Sequence, residues 1–315
     1  MSSQVKANRN NKSGVREEFK KNSALFLMLL PGLLVMLVNN YMPMFGLVLA
    51  FRNMDTVQKL FGSGWVGLNN FKYLFNSKNA WIITRNTLGY NLIFILIGST
   101  VAVALAIALN ELRNKRASKI YQSIFFIPYF LSWVVISYLA FSLLSTESGA
   151  LNQVIKAFGG QPIKWYVTPK YWPFILVAVN TWKWTGYDIV VYIASIVGIS
   201  KDYYEAAAVD GATRFQQIRY ITIPMLVPLL ITLTLLRVGR MFYTDMGLFY
   251  TVTRNTGTLF NATNTIDTYV FRGLRSTGDL GMVSAAGFYQ AVLGFAIIMT
   301  FNFIVRKYDK DSALI

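Results

Sequence analysis

The stretch LIFILIGSTVAVALAIAL, residues 92–109, contains no charged side chain and decides the fold class. A helix of about 20 apolar residues, rising 1.5 Å per residue, crosses the roughly 30 Å hydrocarbon layer of a bilayer. Five further apolar runs of similar length lie on either side of it. The six predicted membrane spans are 24–46, 84–110, 120–144, 173–197, 222–247 and 284–305. The chain is therefore predicted to be an all-α polytopic membrane protein.

The composition agrees with a membrane protein and excludes several kinds of chemistry. Of the 315 residues, 54% are hydrophobic and 14% are charged, whereas soluble domains carry about 25% charged residues. The sequence has no Cys and no His. This excludes thiol nucleophiles, disulfides, zinc sites of the usual ligand types and catalytic triads built on imidazole. We therefore predict no catalytic residue and no metal site.

The formal net charge of +16 is distributed as expected for loops between spans. Nucleic-acid binding needs Lys and Arg clustered on one surface, but here they crowd the first 22 residues and a short stretch near residue 115. If the N-terminus is cytoplasmic, the inside segments hold 16 basic residues in 64 positions and the outside segments hold 10 in 100. The positive-inside tendency then places both termini in the cytoplasm. No nucleic-acid partner is predicted.

The predicted organisation has four parts. Residues 1–22 form a polar cytoplasmic arm, and 23–83 hold the first span, retained rather than cleaved, with an external loop. Residues 84–305 form the main membrane domain, and 306–315 are a cytoplasmic tail. The external loops are rich in aromatic residues, which suit either anchoring at the membrane interface or the outer mouth of a solute path. The bilayer of a bacterial cell membrane is the predicted location.

The segment between the fourth and fifth spans, ISKDYYEAAAVDGATRFQQIRYITIPML at 199–226, is the most informative. Ser200 can cap a helix that Gly211 ends in a left-handed conformation. Thr213 and Gln216 have the spacing of a capping box, which starts a second short helix. The segment is thus predicted to be two short helices joined by a tight turn.

One face of this segment has the chemistry of a docking surface. Three consecutive alanines and a glycine allow another backbone to approach closely, and Glu205 and Asp210 offer carboxylates to a partner's Arg or Lys. Phe215 and Ile218 supply apolar anchors. Amphipathic helix pairs also fill loops that bind no partner, so both interpretations stay open on the residues alone.

The string EAAAVDGA, followed by Phe215, Ile218 and Ile223-Pro224, resembles the EAA loop of permease subunits in binding-protein-dependent ABC importers. The resemblance runs from about residue 23 to the C-terminus. It includes WVGLNNF at 65–71, RNT at 85–87, FIPYFLSWVV at 126–135 and IDTYVFRGL at 266–274. Together these motifs resemble the maltose-transporter-like permeases, and within them the subgroup for complex oligosaccharides and polysaccharides.

The resemblance implies the type I ABC importer permease fold and a subunit that forms half of a translocation pathway. It implies a second homologous permease, two cytoplasmic ATPase subunits, an extracellular solute-binding protein and a carbohydrate substrate. ATP and magnesium would bind the ATPase subunits, in agreement with the lack of a G-x-x-x-x-G-K-[ST] loop here. The ATPase-coupling residues implied are Glu205, Ala206, Ala207, Asp210, Gly211, Phe215, Ile218 and Pro224.

Polar and charged residues inside the fourth and fifth spans form a second candidate site. Charges within a bilayer are costly, so they are expected to face protein or water. One interpretation is a set of salt bridges that lock helices, for instance between Asp188 or Asp245 and a basic group. The other is a sugar path, whose slight excess of basic groups would also suit uronates. The candidate path residues are Asn180, Lys183, Trp184, Tyr187, Asp188, Arg237 and Tyr243.

Two other classes of membrane protein compete with a permease subunit. A secondary carrier or channel for a small polar solute would also have six spans, but it would not need the loop described above. An intramembrane aspartyl protease would need G-x-G-D, and Ser276 occupies the first position before Gly278-Asp279. The permease subunit remains the preferred prediction.

Overall fold

The computed structural model describes residues 21–53, 64–76 and 78–308. Most of the predicted N-terminal arm and of the C-terminal tail therefore lies outside the described residues. Within the described ranges the chain is helical, and one isolated bridge between Arg52 and Trp65 is the β-type pairing found there. The all-α prediction is confirmed. The chain divides into two units, residues 1–48 and 49–315.

Within the described ranges, the first α-helix belongs to the first unit and the others belong to the second. In chain order they are α1 Ser23–Met36, α2 Asn69–Asn76, α3 Lys78–Glu111, α4 Lys115–Phe130, α5 Trp133–Leu144, α6 Ala150–Ala157, α7 Trp172–Val197, α8 Lys201–Val209, α9 Arg214–Gln217, α10 Ile223–Val238, α11 Phe260–Thr263, α12 Ile266–Arg272 and α13 Leu280–Tyr308. Short π-helical turns cover Leu37–Tyr41, Ile218–Thr222, Gly247–Val252 and Gly273–Thr277. Short 3-10 segments cover Met42–Phe51, Trp165–Val167, Pro169–Tyr171 and Gly257–Leu259.

Four helical segments of the described chain are long and apolar enough to cross a membrane: Ser23–Phe51, Lys78–Glu111, Arg214–Val238 and Leu280–Lys307. The pair α4 and α5 adds a fifth if a bent span is counted. Helix α7 is 26 residues long but is not among them. Its polar and charged residues lower its hydropathy. The predicted count of six spans is therefore not confirmed by length and composition.

The third predicted span, 120–144, is wrong as a single straight helix. Helices α4 and α5 meet at an angle of 100°. Leu131 is extended, and Ser132 begins α5 by accepting a hydrogen bond on its side chain from the Val135 N–H. A capping serine with an extended backbone starts a new helix instead of continuing the old one.

The fifth predicted span, 222–247, ends earlier than expected. Helix α10 stops at Val238, and the chain turns through Gly239. Thr244 fixes this turn, because its N–H and its hydroxyl both donate to Asp267 Oδ2, at 2.6 and 2.8 Å. A carboxylate that satisfies a backbone donor in this way stabilises the non-helical path.

Helix α7 lies at the centre of the second unit, where it packs against α3 and α4. A Cβ at Gly186 would lie 2.0 Å from the Phe125 carbonyl oxygen, so only glycine allows α4 to approach this closely. Ile189, Tyr192 and Ile196 on the following turns of α7 are buried against α3 and α10. This packing fixes the direction in which the polar face of α7 points.

Candidate functional site

Helix α8 and its two ends have the predicted conformation. The Ser200 side chain caps α8 by accepting from the Asp202 N–H at 3.3 Å. At the other end Gly211 has φ +82°. The Ala212 N–H donates to the Ala207 carbonyl at 2.8 Å and the Gly211 N–H to the Ala208 carbonyl at 3.1 Å. This pair of bonds is a Schellman motif, which requires a left-handed residue at the glycine.

The second short helix is also capped as predicted. Thr213 and Gln216 form both bonds of a capping box at the start of α9. Two contacts that were not predicted tie α8 to the start of α10 and to the end of α9, respectively. The Tyr204 hydroxyl lies 3.0 Å from Thr222 Oγ1, and Gln217 Nε2 donates to the Tyr204 carbonyl at 3.4 Å. The sequence around Tyr204, Gln217 and Thr222 does not show that these polar side chains bond to each other's segments instead of facing solvent.

The predicted coupling residues lie together on this segment. Glu205, Ala206, Asp210, Gly211, Phe215 and Pro224 are exposed, and Ala207 and Ile218 are half-buried. Val209, which was not among the predicted residues, is 88% exposed, and Phe215 is 73% exposed. Large apolar side chains left exposed on a segment that also carries exposed carboxylates have the composition of a docking surface. We call residues 200–224 the coupling loop.

A polar cavity of about 470 Å³ lies among α3, α7, α10 and the turn after α10. It brings together six of the seven predicted path residues: Asn180, Trp184, Tyr187, Asp188, Arg237 and Tyr243. Asn91 and Arg240 also line it, and neither was among the predicted path residues. The cavity joins residues from three helices that are distant in sequence, so the sequence alone could not define it.

Arg237 and Asp188 form an ion pair inside this cavity. Arg237 Nη2 lies 2.6 Å from Asp188 Oδ1, and Arg237 Nη1 donates to Ser99 Oγ at 3.0 Å. Asp188 is 6% exposed. One guanidinium thus joins α10 to both α7 and α3. A salt bridge that locks helices was one of the two predicted interpretations of these residues. Both residues of the pair also line the cavity, as the other interpretation, a sugar path, requires.

Lys183, the seventh predicted path residue, is not among the residues that line this cavity. Its Nζ donates to the carbonyls of Pro128, Tyr129 and Leu131, at 3.5, 3.1 and 2.6 Å. The ammonium also lies 5.0 Å from the centre of the Trp133 ring. It therefore satisfies the free carbonyls where α4 ends, which is the usual role of a cation at a helix C-terminus.

Aromatic rings form one wall beside the cavity. The ring of Tyr187 stacks on Tyr129 with centroids 5.2 Å apart and an interplanar angle of 20°. Trp184 contacts the same Tyr129 ring edge-on at 5.6 Å. Flat aromatic faces next to hydrogen-bonding side chains are suited to binding a molecule that has both apolar and hydroxyl surfaces.

At the other end of α7, Tyr166 and Trp172 pack into a buried cluster with residues of α5. Burial raises the pKa of Tyr166 to about 12, and the nearby Arg254 guanidinium opposes this rise. The phenol therefore stays protonated, and it donates to the Val252 carbonyl at 3.4 Å. Helix α7 spans about 39 Å at 1.5 Å per residue, so this cluster and the coupling loop lie at opposite ends of it.

Comparisons with known proteins agree with this arrangement. Residues 94–310 match the family described as binding-protein-dependent transport system inner membrane component. The chain is 31% identical over 293 residues to the polygalacturonan/rhamnogalacturonan transport system permease protein YteP of Bacillus subtilis (strain 168), covering 91% of this chain and 89% of that protein.

Two crystal structures of a bacterial ABC transporter also match. The first is of a transporter involved in the import of the acidic polysaccharide alginate. One chain of that transporter matches this chain with a TM-score of 0.85 and 30% sequence identity. The match covers 94% of this chain and 99% of that one. The second is of the alginate transporter in complex with alginate pentasaccharide-bound periplasmic protein. It has the same TM-score and identity, and covers 94% of this chain and 98% of that one.

Proposed function

The chain belongs to the family of binding-protein-dependent transport system inner membrane components, and from this premise we propose that it is the permease subunit forming half of the translocation pathway of an ABC importer for an oligosaccharide or polysaccharide fragment. The observation that carries the proposal is the coupling loop. Its caps are satisfied within the chain, and the apolar side chains of Val209 and Phe215 and the carboxylates of Glu205 and Asp210 are exposed.

The proposal includes four kinds of partner. A second homologous permease completes the pathway, two cytoplasmic ATPase subunits bind ATP and magnesium, and an extracellular binding protein delivers the sugar. The transporter in the second matched structure is described in complex with a periplasmic protein, which supports the last of these. This chain then acts as a transport subunit without an ATPase site of its own.

The coupling loop is proposed to turn ATPase closure into movement of the helices. Val209 and Phe215 enter a groove on an ATPase subunit, and Glu205 pairs with a basic group there. The contact between Tyr204 and Thr222 transmits the displacement from α8 to α10. The Arg237–Asp188 ion pair passes it from α10 to α7, where it changes the shape of the polar cavity.

The polar cavity is proposed to be part of the sugar path. Asn180 and Arg240 supply hydrogen-bond donors for sugar hydroxyls, and Trp184 and Tyr187 supply faces for sugar rings. These side chains line one cavity together, which supports a shared role. Lys183 takes no part in the path, because it holds the end of α4.

The orientation is proposed to place the coupling loop and both termini in the cytoplasm. Ser148 and Ser200 are exposed and lie towards opposite ends of α7. We expect Ser148→Cys, in this Cys-free chain, to react with an impermeant maleimide added outside intact cells. Ser200→Cys is expected to react only after permeabilisation. The reverse labelling pattern contradicts the orientation.

The function is tested in proteoliposomes that contain the whole complex, with ATP inside and binding protein outside, on a panel of radiolabelled oligosaccharides. We expect Glu205→Lys to abolish uptake at normal assembly, because it reverses a charge at the ATPase contact. The matched control is Glu111→Lys, an exposed charge reversal at the C-terminus of α3, where a cation suits the helix dipole. Full uptake by Glu205→Lys contradicts the coupling role.

A second pair of variants tests the turn of the coupling loop. Gly211→Val places a β-branched residue at φ +82°, which costs roughly 1–2 kcal/mol and distorts the Schellman turn. Gly211→Asn is the same-site control, since Asn tolerates this conformation. Loss of uptake in the first and its retention in the second support the proposal. ATP-independent uptake after removal of the ATPase subunits identifies a secondary carrier instead.

A further inference from the structure

Two consecutive residues after the Gly247–Val252 turn have a backbone conformation that is rare for side chains with a Cβ. Arg254 has φ 54° and Asn255 has φ 48°. Asn adopts this left-handed region more readily than Arg does. The Asn255 N–H donates to the Tyr250 carbonyl at 2.9 Å, and Asn255 Oδ1 accepts from Arg272 Nη1 at 2.9 Å. The surroundings therefore hold Arg254 in a conformation that it would not choose alone.

The side chain of Arg254 is held as well, by stacking on an aromatic ring. Its guanidinium carbon lies 4.1 Å above the centre of the Phe141 ring, and the residue is exposed. Within the described residues the guanidinium makes no hydrogen bond and no ion pair. Stacking occupies the face of the guanidinium and leaves its in-plane N–H donors available. The result is a fixed cation that is ready to bind an anion.

Two cavities meet at Arg254. One, of about 370 Å³, is lined by hydroxyl and aromatic residues of α5 and the Gly247–Val252 turn, including Ser137, Tyr138 and Tyr250. Among the residues that the structure describes, no acidic group lines it. The other, of about 450 Å³, contains Glu147 and Tyr166. Both volumes suit a small ligand. Because Glu147 repels anions, a carboxylate is favoured in the first cavity and a neutral sugar ring in the second.

We propose that Arg254 and the cavity beside Tyr138 form a carboxylate-binding subsite for an acidic saccharide residue at the outer mouth of the pathway. The inference rests on the proposed function. A planar guanidinium binds a carboxylate through two parallel hydrogen bonds, and the exposed ring of Tyr138 stacks on the sugar. A neighbouring sugar residue then turns its hydroxyl edge into the second cavity, where Glu147 accepts hydrogen bonds from the hydroxyls, and its own carboxylate stays outside this cavity.

The test uses the whole complex in proteoliposomes and measures KM for trigalacturonate and for its carboxyl-reduced, neutral counterpart. Arg254→Asn removes the cation and keeps a residue that tolerates the left-handed backbone. Arg254→Lys keeps the charge and loses the paired donors. Lys170→Gln is the matched control, because Lys170 is another exposed cation stacked on an aromatic ring, that of Tyr171 at 4.8 Å, and lies outside both cavities.

We expect Arg254→Asn to raise KM for trigalacturonate about tenfold or more. A change of this size corresponds to the loss of at least one charge-assisted hydrogen bond. KM for the neutral sugar is expected to stay the same, Arg254→Lys to be intermediate, and Lys170→Gln to match the wild type. If Arg254→Asn fails to assemble, Arg254→Lys provides the test through the ratio of KM for trigalacturonate to KM for the neutral sugar. A higher ratio than that of the wild type supports the inference, and an equal ratio overturns it.

Other outcomes overturn it in distinguishable ways. Equal loss for both sugars, together with weaker stimulation of ATP hydrolysis by the unliganded binding protein, assigns Arg254 to docking of that protein. If the wild type takes up only neutral sugars, the proposal of an acidic subsite is contradicted and the proposed function still stands. An assembled wild-type complex that takes up no saccharide of the panel overturns the proposed function itself.

Discussion

Replacing Arg237 by Ala removes one half of the ion pair that joins α10 to α7. The side chain of Asp188 is 8% exposed and lies 2.6 Å from the guanidinium. The variant leaves this carboxylate buried without its cation. Breaking a buried pair from one side costs about 3–5 kcal/mol. We therefore expect Arg237→Ala to strongly reduce the amount of assembled complex.

The opposite substitution is expected to be milder. The Arg237 side chain is 28% exposed, faces the polar cavity and keeps its bond to Ser99. Water in the cavity can solvate the cation, so Asp188→Asn is expected to cost only about 1–2 kcal/mol. Adding Asp188→Asn to Arg237→Ala removes the unpaired carboxylate and is expected to recover about 2 kcal/mol of the loss.

The assay is size-exclusion chromatography of fluorescently tagged complex after extraction and heating, which reports assembly and thermal stability together. Arg240→Ala is the matched control, because Arg240 lines the same cavity but makes no ion pair among the described residues. The reasoning is contradicted if Arg237→Ala and Asp188→Asn lower stability equally and the double variant loses the sum of the two. A loss in Arg240→Ala as large as in Arg237→Ala also contradicts it.

Transport by the double variant separates the two interpretations of this pair. If the pair only locks the helices, a double variant with restored assembly also recovers uptake per assembled complex. If the pair also binds sugar or transmits movement, assembly recovers and uptake does not. The two measurements must therefore be made on the same preparation.

Three further predictions concern α7. Lys183→Met, which is close to Lys in length but has no donor, takes the ammonium away from the carbonyls of Tyr129 and Leu131. It is expected to destabilise the assembled complex by about 2–3 kcal/mol, measured as above. Gly186→Ala is expected to reduce assembly because its Cβ would lie 2.0 Å from a backbone oxygen, whereas Gly89→Ala, with nothing within 4 Å, is expected to have no effect. Tyr187→Ala is expected to lower uptake per assembled complex severalfold and leave assembly unchanged; equal assembly and equal uptake would remove it from the path.

Local features of the fold could be predicted from the sequence, and long-range pairings could not. The caps at Ser200, Gly211 and Thr213 depend on residues within a few positions of each other, so the pattern alone predicts the coupling loop. The ion pair between Arg237 and Asp188 joins residues 49 apart in sequence. Which acid meets which base depends on how the helices pack. The Arg254 conformation contradicts local preference, so no sequence signal pointed to it.

The two corrections to the predicted spans are linked by one contact, that between Trp133 and Asp245. Where α4 ends, Lys183 of α7 satisfies the free carbonyls, and the first residue of α5, Trp133, donates from Nε1 to Asp245 Oδ2 at 2.8 Å. Asp245 lies just after the early end of α10, and a Cβ at Gly247 would lie 2.0 Å from the Trp133 ring. The break in the third span and the turn after the fifth therefore support each other. A sequence window that examines one span at a time can detect neither break, because each is stabilised in part by residues outside its own span.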